Sequence, residues 1–170
     1  MSRSTASRSP SPPEPVAGVL AGLVAGIAYL LAQMGFAATV QGGVGWEPLH
    51  RISAMLLGDG ALPPPADIDL TIGGFGLLIH LALAINFGRV VDLLVRDRDL
   101  PAACLRGALV GLALYALNFW LIAPTLFPWF ADNRGLTTVI DHLLFGAVAG
   151  AAYVPLRAWL QERRVALQQA

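Results

Sequence analysis

Five polar side chains interrupt long apolar runs of this sequence, and they are the residues whose chemistry could matter most. They are Gln33, His80, Tyr115, Asn118 and His142. An imidazole can exchange a proton near neutral pH and can bind a metal or a haem iron. Amides and phenols donate and accept hydrogen bonds. Such residues predict either a polar cavity for a ligand or permeant, or hydrogen bonds that hold helices together.

The apolar runs around these residues are long enough to cross a bilayer, which takes about 20 residues per helix. The 170-residue chain is 56% hydrophobic and 13% charged, and its mean hydropathy is +0.64. A soluble domain carries roughly 25% charged residues. We therefore predict an all-α membrane protein, a bundle of four transmembrane helices at about 16–40, 70–95, 102–127 and 136–158.

The segments outside the four spans are also informative. Residues 1–15 have the Ser- and Pro-rich composition of a disordered tail, before a transmembrane domain at 16–160 and a C-terminal tail at 161–170. The first link predicts a short amphipathic helix at 48–57, on the outer leaflet or capping the bundle, and a stiff spacer at 63–65. Asp67 or Asp69 would cap the second span. Thr138 and Asp141 have capping-box spacing at the start of the fourth.

The arginines predict the orientation of the chain. All eleven basic residues are Arg, a bias typical of a GC-rich bacterial genome, and the formal net charge of zero argues against a nucleic-acid partner. Only Arg51 and Arg134 lie in the first and third links; the other nine lie near the termini and the second link. Because positively charged segments stay in the cytoplasm, we predict a multi-pass protein of the bacterial inner membrane with both termini cytoplasmic.

Small residues at intervals of four predict how the helices pack, because small residues let membrane helices approach closely. The stripes consist of Gly18, Gly22 and Gly26, then Ala84 and Gly88, then Gly107 and Gly111, then Gly146 and Gly150. Extending each stripe along its face reaches the five polar residues. At the helical rise of about 1.5 Å per residue, four of them are expected to lie roughly 9–15 Å below the outer helix ends: Gln33, His80, Asn118 and His142. The pattern predicts one polar layer inside the outer half of the bundle.

Four segments carry a resemblance to a known group of proteins: "GWEPLHRISAMLLGDGALPPPADIDL", "IHLALAINFGRVVD", "LYALNFWLIAPTLFPWFADNRG" and "IDHLLFG". In these segments the chain resembles small bacterial four-helix inner-membrane proteins, mostly of unknown function, some of them labelled sodium:proline symporter. The resemblance covers most of the chain after about Pro15. It implies that His80, Asn118 and His142 lie in the group's recognisable segments, and it supplies no mechanism.

No catalytic residue or metal site is predicted. No Ser/His/Asp nucleophile arrangement, P-loop or Rossmann glycine pattern is present, and the single cysteine, Cys104, excludes a Cys-rich metal centre. The leading hypothesis is therefore a non-enzymatic accessory or scaffold subunit that binds a partner or a lipid-like ligand from the outer side. Its expected partners are the bilayer and either further copies of itself or a larger membrane complex.

Two alternatives remain open. The first is a small transporter or proton-coupled permeation unit that uses His80, Asn118 and His142. Four helices are too few for the inverted repeats of known symporters, so such a unit would act as an oligomer. The second is a redox protein in which His80 and His142 ligate haem b, as facing helices of a bundle can.

Overall fold

The structure is a computed structural model that describes residues 14–62 and 67–169. Within these ranges the chain is helical and has no strand. The helices are α1 (Pro15–Thr39), α2 (Glu47–Leu57), α3 (Leu70–Val95), α4 (Leu100–Leu126), α5 (Pro128–Ala131) and α6 (Leu136–Gln168). The predictions for residues 1–13 and for the spacer at 63–65 lie outside the described residues.

Four of the described helices, α1, α3, α4 and α6, are long and apolar enough to cross a membrane. This confirms the coarse prediction of an all-α, multi-pass membrane protein.

The two ends of the bundle differ. One end holds Glu14 and the C-terminal part of α6, joined by an ion pair from Arg164 to Glu14 at 3.0 Å, and is called the terminal face. The other end holds α2 and α5 and is called the loop face.

Glycine stripes bring the long helices together in two pairs. In the pair of α1 and α3, a side chain at Gly22 or at Gly88 would collide with the backbone of the partner helix. In the pair of α4 and α6, Gly107 and Gly146 lie against each other's carbonyl groups. Backbones this close leave no room for a β-carbon, so both pairings depend on glycine.

The two pairs join where α1 packs on α6, around a core that includes Ala21, Ala25, Ala149 and Tyr153. In contrast, α3 and α4 follow each other in the chain but contact each other far less than they contact their own partners. The bundle is therefore loosely packed along one side, between α3 and α4, and we call this side the split.

Helix α4 widens before its end. Residues Leu117–Ile122 form a π-helical segment, in which the N–H of Ala123 donates to the carbonyl of Asn118, five residues earlier. Pro124 offers no N–H to the carbonyl of Trp120, and its ring would crowd that carbonyl in a regular α-helix. The wider turn accommodates the proline and lies beside the split.

The starts of two helices differ in how they are capped. The Asp69 carboxylate accepts from the N–H groups of Thr71 and Ile72, at 2.8 and 3.0 Å. Helix α6 begins after Gly135, with no side-chain cap among the described residues. The predicted capping box of Thr138 and Asp141 is therefore wrong. The helix starts almost a turn earlier, so Asp141 lies beyond the unpaired N–H groups that a cap would satisfy.

Helix α2 closes the loop face. The Ser53 hydroxyl donates to the carbonyl of Ile72 in α3. On the other side, the Arg51 guanidinium donates to the carbonyl of Trp129 at 3.3 Å, and the Trp129 indole N–H donates to the carbonyl of Arg51 at 3.2 Å. These bonds hold α2 across the bundle, between α3 and α5.

Candidate functional site

A cavity of about 300 Å³ lies inside the bundle, beneath α2. Its wall is mainly aromatic and aliphatic: Ile52, Met55, Leu83, Ala84, Phe87, Leu114, Phe119, Ile122, Ala123, Phe127, Phe130 and Phe145. Polar side chains also line it, and among the described residues these are Tyr29, Gln33, His80, Asn118 and His142. The volume falls at the small end of ligand pockets, about 300–1,000 Å³.

Four of the five polar residues singled out from the sequence line this cavity, one from each long helix: Gln33, His80, Asn118 and His142. The fifth, Tyr115, lies behind its wall. The Tyr115 ring stacks on Phe119 with 5.5 Å between centroids, and its hydroxyl donates to the carbonyl of Arg134 at 2.9 Å. Tyr115 therefore supports the wall, but its hydroxyl is engaged outside the cavity.

Tyr29 is a polar cavity residue that the sequence patterns did not predict, and most of the apolar lining was not predicted either. Its ring centroid lies 5.6 Å from that of His80 and 5.2 Å from that of His142, so the phenol stands against both imidazoles. Tyr29 is three residues after Gly26 and four before Gln33. That spacing puts it on the same face of α1, where the glycine stripe could have revealed it.

His80 connects the cavity to the packing of α1 on α3. Its side chain is 7% exposed, and Nε2 lies 2.8 Å from the carbonyl oxygen of Gly26. A carbonyl only accepts, so Nε2 carries the proton and donates to it. Gly26 has no side chain to stand between the imidazole and the α1 backbone. The small-residue stripe therefore positions the histidine as well as packing the helices.

His142 is held within its own helix and enclosed by rings. Its Nδ1 lies 2.8 Å from the carbonyl oxygen of Thr138, to which it donates. The rings of Tyr29, Tyr115 and Phe119 meet the imidazole edge-on, with centroids 5.2–5.8 Å away. This leaves Nε2 as the acceptor of the neutral ring.

A second, smaller space of about 20 Å³ lies beside the cavity, and we call it the polar chamber. Its lining comprises Gln33, Ala37, Gln41, Glu47, Pro48, Arg51, Phe130, Asn133, Thr138 and Asp141. Gln33 and Phe130 belong to both walls. Glu47 and Arg51 form an ion pair at 2.6 Å. The chamber thus gives the apolar cavity a polar end near the loop face.

Asp141 is the least satisfied group of the polar chamber. The residue is 2% exposed, and its Oδ1 has no hydrogen-bond partner among the described residues; the same holds for Oε1 of Gln33. Buried polar atoms in folded proteins nearly always have a partner. Asp141 does not cap helix α6 as its spacing from Thr138 predicts, because the helix already begins at Leu136.

The site holds few groups suited to a metal or cofactor. Over residues 14–62 and 67–169, no group of three or more His, Cys, Asp or Glu residues could hold a metal ion. A haem between His80 and His142 would have to displace the Tyr29 ring that contacts both.

Comparisons with protein-family models, with curated proteins and with solved structures found no match to this chain.

Proposed function

We propose that this chain is a non-enzymatic accessory or scaffold protein of the membrane, whose cavity binds a lipid-like ligand. One observation carries the proposal: a volume of about 300 Å³ is lined mainly by apolar side chains, with a few polar groups at defined points. Ligand pockets have this composition. A polar layer that only joined helices would bring the polar groups into contact with one another and leave no such space.

The split between α3 and α4 supports access from the bilayer. Leu83 of α3 and Ile122 of α4 line the cavity, and Leu83 is 37% exposed. Asn118, Phe119 and Ile122 belong to the π-helical segment of α4, a deviation often found at functional sites. A ligand dissolved in the membrane could therefore enter sideways without crossing α2.

The depth of the cavity favours binding over permeation. Most of its lining residues lie in the half of the bundle nearer the loop face, and on α3 the lining extends just past mid-helix to Phe87. Towards the terminal face, the interior of the bundle is filled by one cluster of buried side chains in contact with each other, including Val91, Val95 and Tyr153. A permeation path through one copy would have to cross these contacts. The proton-coupled alternative therefore requires an oligomer, and buried Asp141 beside the cavity is the observation in its favour.

The arginine distribution supports a finer proposal for orientation. The chain lies in a bacterial inner membrane with both termini cytoplasmic, so the loop face and α2 lie on the outer side. The ligand then occupies the outer half of the bundle. The small size of the chain supports a role as a homo-oligomer or as a subunit of a larger membrane complex.

Native mass spectrometry of the protein extracted in mild detergent tests the proposal. We expect a bound lipid-like mass on the unaltered chain. Ile122→Trp fills the cavity and should remove that mass. Leu121→Trp makes the same kind of change at a neighbouring residue of α4 that is 62% exposed and outside the cavity lining, so it should retain the mass. Equal retention in both variants would contradict the proposal.

The haem alternative has a separate test. Ligation by His80 and His142 would give the purified, untreated protein a Soret band in its visible spectrum. The position of Tyr29 against both rings leads us to expect no such band. A Soret band that disappears in His142→Leu would support haem and contradict the lipid-binding proposal.

A further inference from the structure

The polar chamber contains buried hydrogen-bond acceptors that have no donor among the described residues. Its unsatisfied atoms, Oδ1 of Asp141 and Oε1 of Gln33, are both acceptors. No lining N–H or O–H group reaches either atom, although the Thr138 hydroxyl and the Asn133 amide of the lining donate no hydrogen bond elsewhere among the described residues. The Arg51 guanidinium donates to Glu47 at 2.6–2.9 Å, and to Trp129 and Asn133. An occupant of the chamber satisfies these two acceptors only if it brings its own N–H or O–H group.

Two further amides of the chamber lining each donate one hydrogen bond to a neighbouring hydroxyl. The Gln41 amide donates to the Thr137 hydroxyl at 3.0 Å, and the Gln33 amide to the Tyr29 hydroxyl at 3.4 Å. Glu47 neutralises Arg51, so the chamber offers an anionic ligand no free cation. A carboxylate or phosphate headgroup would face acceptors there, whereas an ammonium or a hydroxyl would satisfy them.

The two volumes limit the size of the occupant. About 20 Å³ is room for one group the size of a water molecule, which excludes a sugar or a phosphodiester. The adjoining 300 Å³ is lined mainly by apolar side chains, a wall that suits an alkyl chain. Gln33 and Phe130 line both spaces, so the spaces adjoin at these two residues and a ligand that occupies both would pass beside them.

We infer that the ligand is a single-chain amphiphile with a small hydrogen-bond-donating headgroup, its chain in the cavity and its headgroup between Asp141 and Gln33 in the polar chamber. The inference rests on the proposed lipid-binding function and adds the ligand class. A primary ammonium and a hydroxyl both supply the required donor. Asp141 adds one acidic side chain to the neutral pair of Glu47 and Arg51, so either a charged or a neutral donor can be accommodated.

Photoaffinity labelling in phosphatidylcholine nanodiscs tests this inference. Three dodecyl probes with the same diazirine in the chain carry a primary amine, a hydroxyl or a methyl ether as headgroup. Labelled cavity peptides are quantified by mass spectrometry against probe concentration. We expect the amine or the alcohol to reach half-saturation at a concentration at least about tenfold below that of the ether, a difference of about 1.4 kcal/mol.

Substitutions in the chamber should remove the preference without removing binding. Asp141→Leu and Gln33→Met each delete one unsatisfied acceptor, so the three probes should label with more nearly equal half-saturation. Asp92→Leu is the matched control, because Asp92 is also 2% exposed and has an unpartnered Oδ1, but lies near the terminal face. Ether labelling reports in every variant whether the cavity is still folded.

The outcomes separate the inference from the proposed function. If the ether labels as well as both donor probes, or if the preference survives both substitutions, the inference is overturned and lipid binding stands. If no probe labels the cavity peptides of the unaltered protein, the inference and the proposed function both fail. A preference for the amine alone or for the alcohol alone supports the inference and identifies the headgroup.

Discussion

At the scale of single residues, the cavity histidines each use one nitrogen for a backbone carbonyl and present the rest of the ring to aromatic neighbours. His80 donates to Gly26 on another helix, while His142 donates to Thr138 on its own. Only the first bond joins two helices. His80 is therefore the residue at which a structural contribution to the bundle can be measured directly.

His80→Leu should lower the free energy of unfolding only modestly. An interhelical hydrogen bond in a membrane protein is worth about 0.6 kcal/mol and seldom as much as 2 kcal/mol. Denaturation in mixed micelles measures the change. Asn86→Leu is the control, because the Asn86 amide is exposed and bonds only to Ala82 of its own helix. If His80→Leu lowers the free energy of unfolding by well above 2 kcal/mol, the main role of His80 is to hold the helices together and not to line the cavity.

Residue patterns in the sequence located much of the candidate site. Gln33, His80, Asn118 and His142 share a face with small residues, and that face points inward. The patterns placed Tyr115 in the cavity as well, because periodicity gives the face of a residue but not the reach of its hydroxyl. Asp141 was assigned to a cap because helix boundaries are the least certain part of a sequence-based prediction.

At the scale of elements, the glycine stripes select the helix pairs and thereby create the split. The stripes predicted close packing, but not that α1 would pair with α3 and α4 with α6. Four similar stripes are compatible with several pairings, and only backbone geometry distinguishes them. The π-helical turn was not predicted either, although Pro124 is its visible cause.

Gly107→Ala should destabilise the pair of α4 and α6. A β-carbon at this position would collide with the carbonyl of Gly146, so the helices must separate. Gly35→Ala adds the same atom to α1 where no heavy atom lies within 4 Å. There the better helix propensity of alanine should stabilise by at most about 1 kcal/mol. Thermal unfolding in detergent measures both; equal midpoints for the two variants would refute the close packing.

At the scale of the whole molecule, the two faces of the bundle have different characters. Ion pairs of Arg157 with Asp97 and of Arg164 with Glu14 lie at the terminal face. Helix α2 and the polar chamber occupy the loop face. If the terminal face is cytoplasmic, the polar headgroup of a ligand would lie towards the outer side of the membrane.

Labelling with a membrane-impermeant thiol reagent checks this orientation. In a Cys104→Ala background, Asp132→Cys places a thiol at the loop face and Gln169→Cys places one near the end of α6; both positions are exposed. We expect intact cells with a permeabilised outer envelope to label position 132, and position 169 only after lysis. The reverse pattern would invert the proposed topology.

The most direct measurement is photocrosslinking from inside the cavity. A photoreactive benzoylphenylalanine replaces Phe87, which lines the cavity, or Leu78, which lies on the same helix and is 65% exposed. After irradiation in native membranes, mass spectrometry identifies the crosslinked adducts by their mass. We predict a discrete single-chain adduct at position 87 and bulk phospholipid at position 78. The same phospholipid adducts at both positions, or none at position 87, would contradict a ligand-binding cavity.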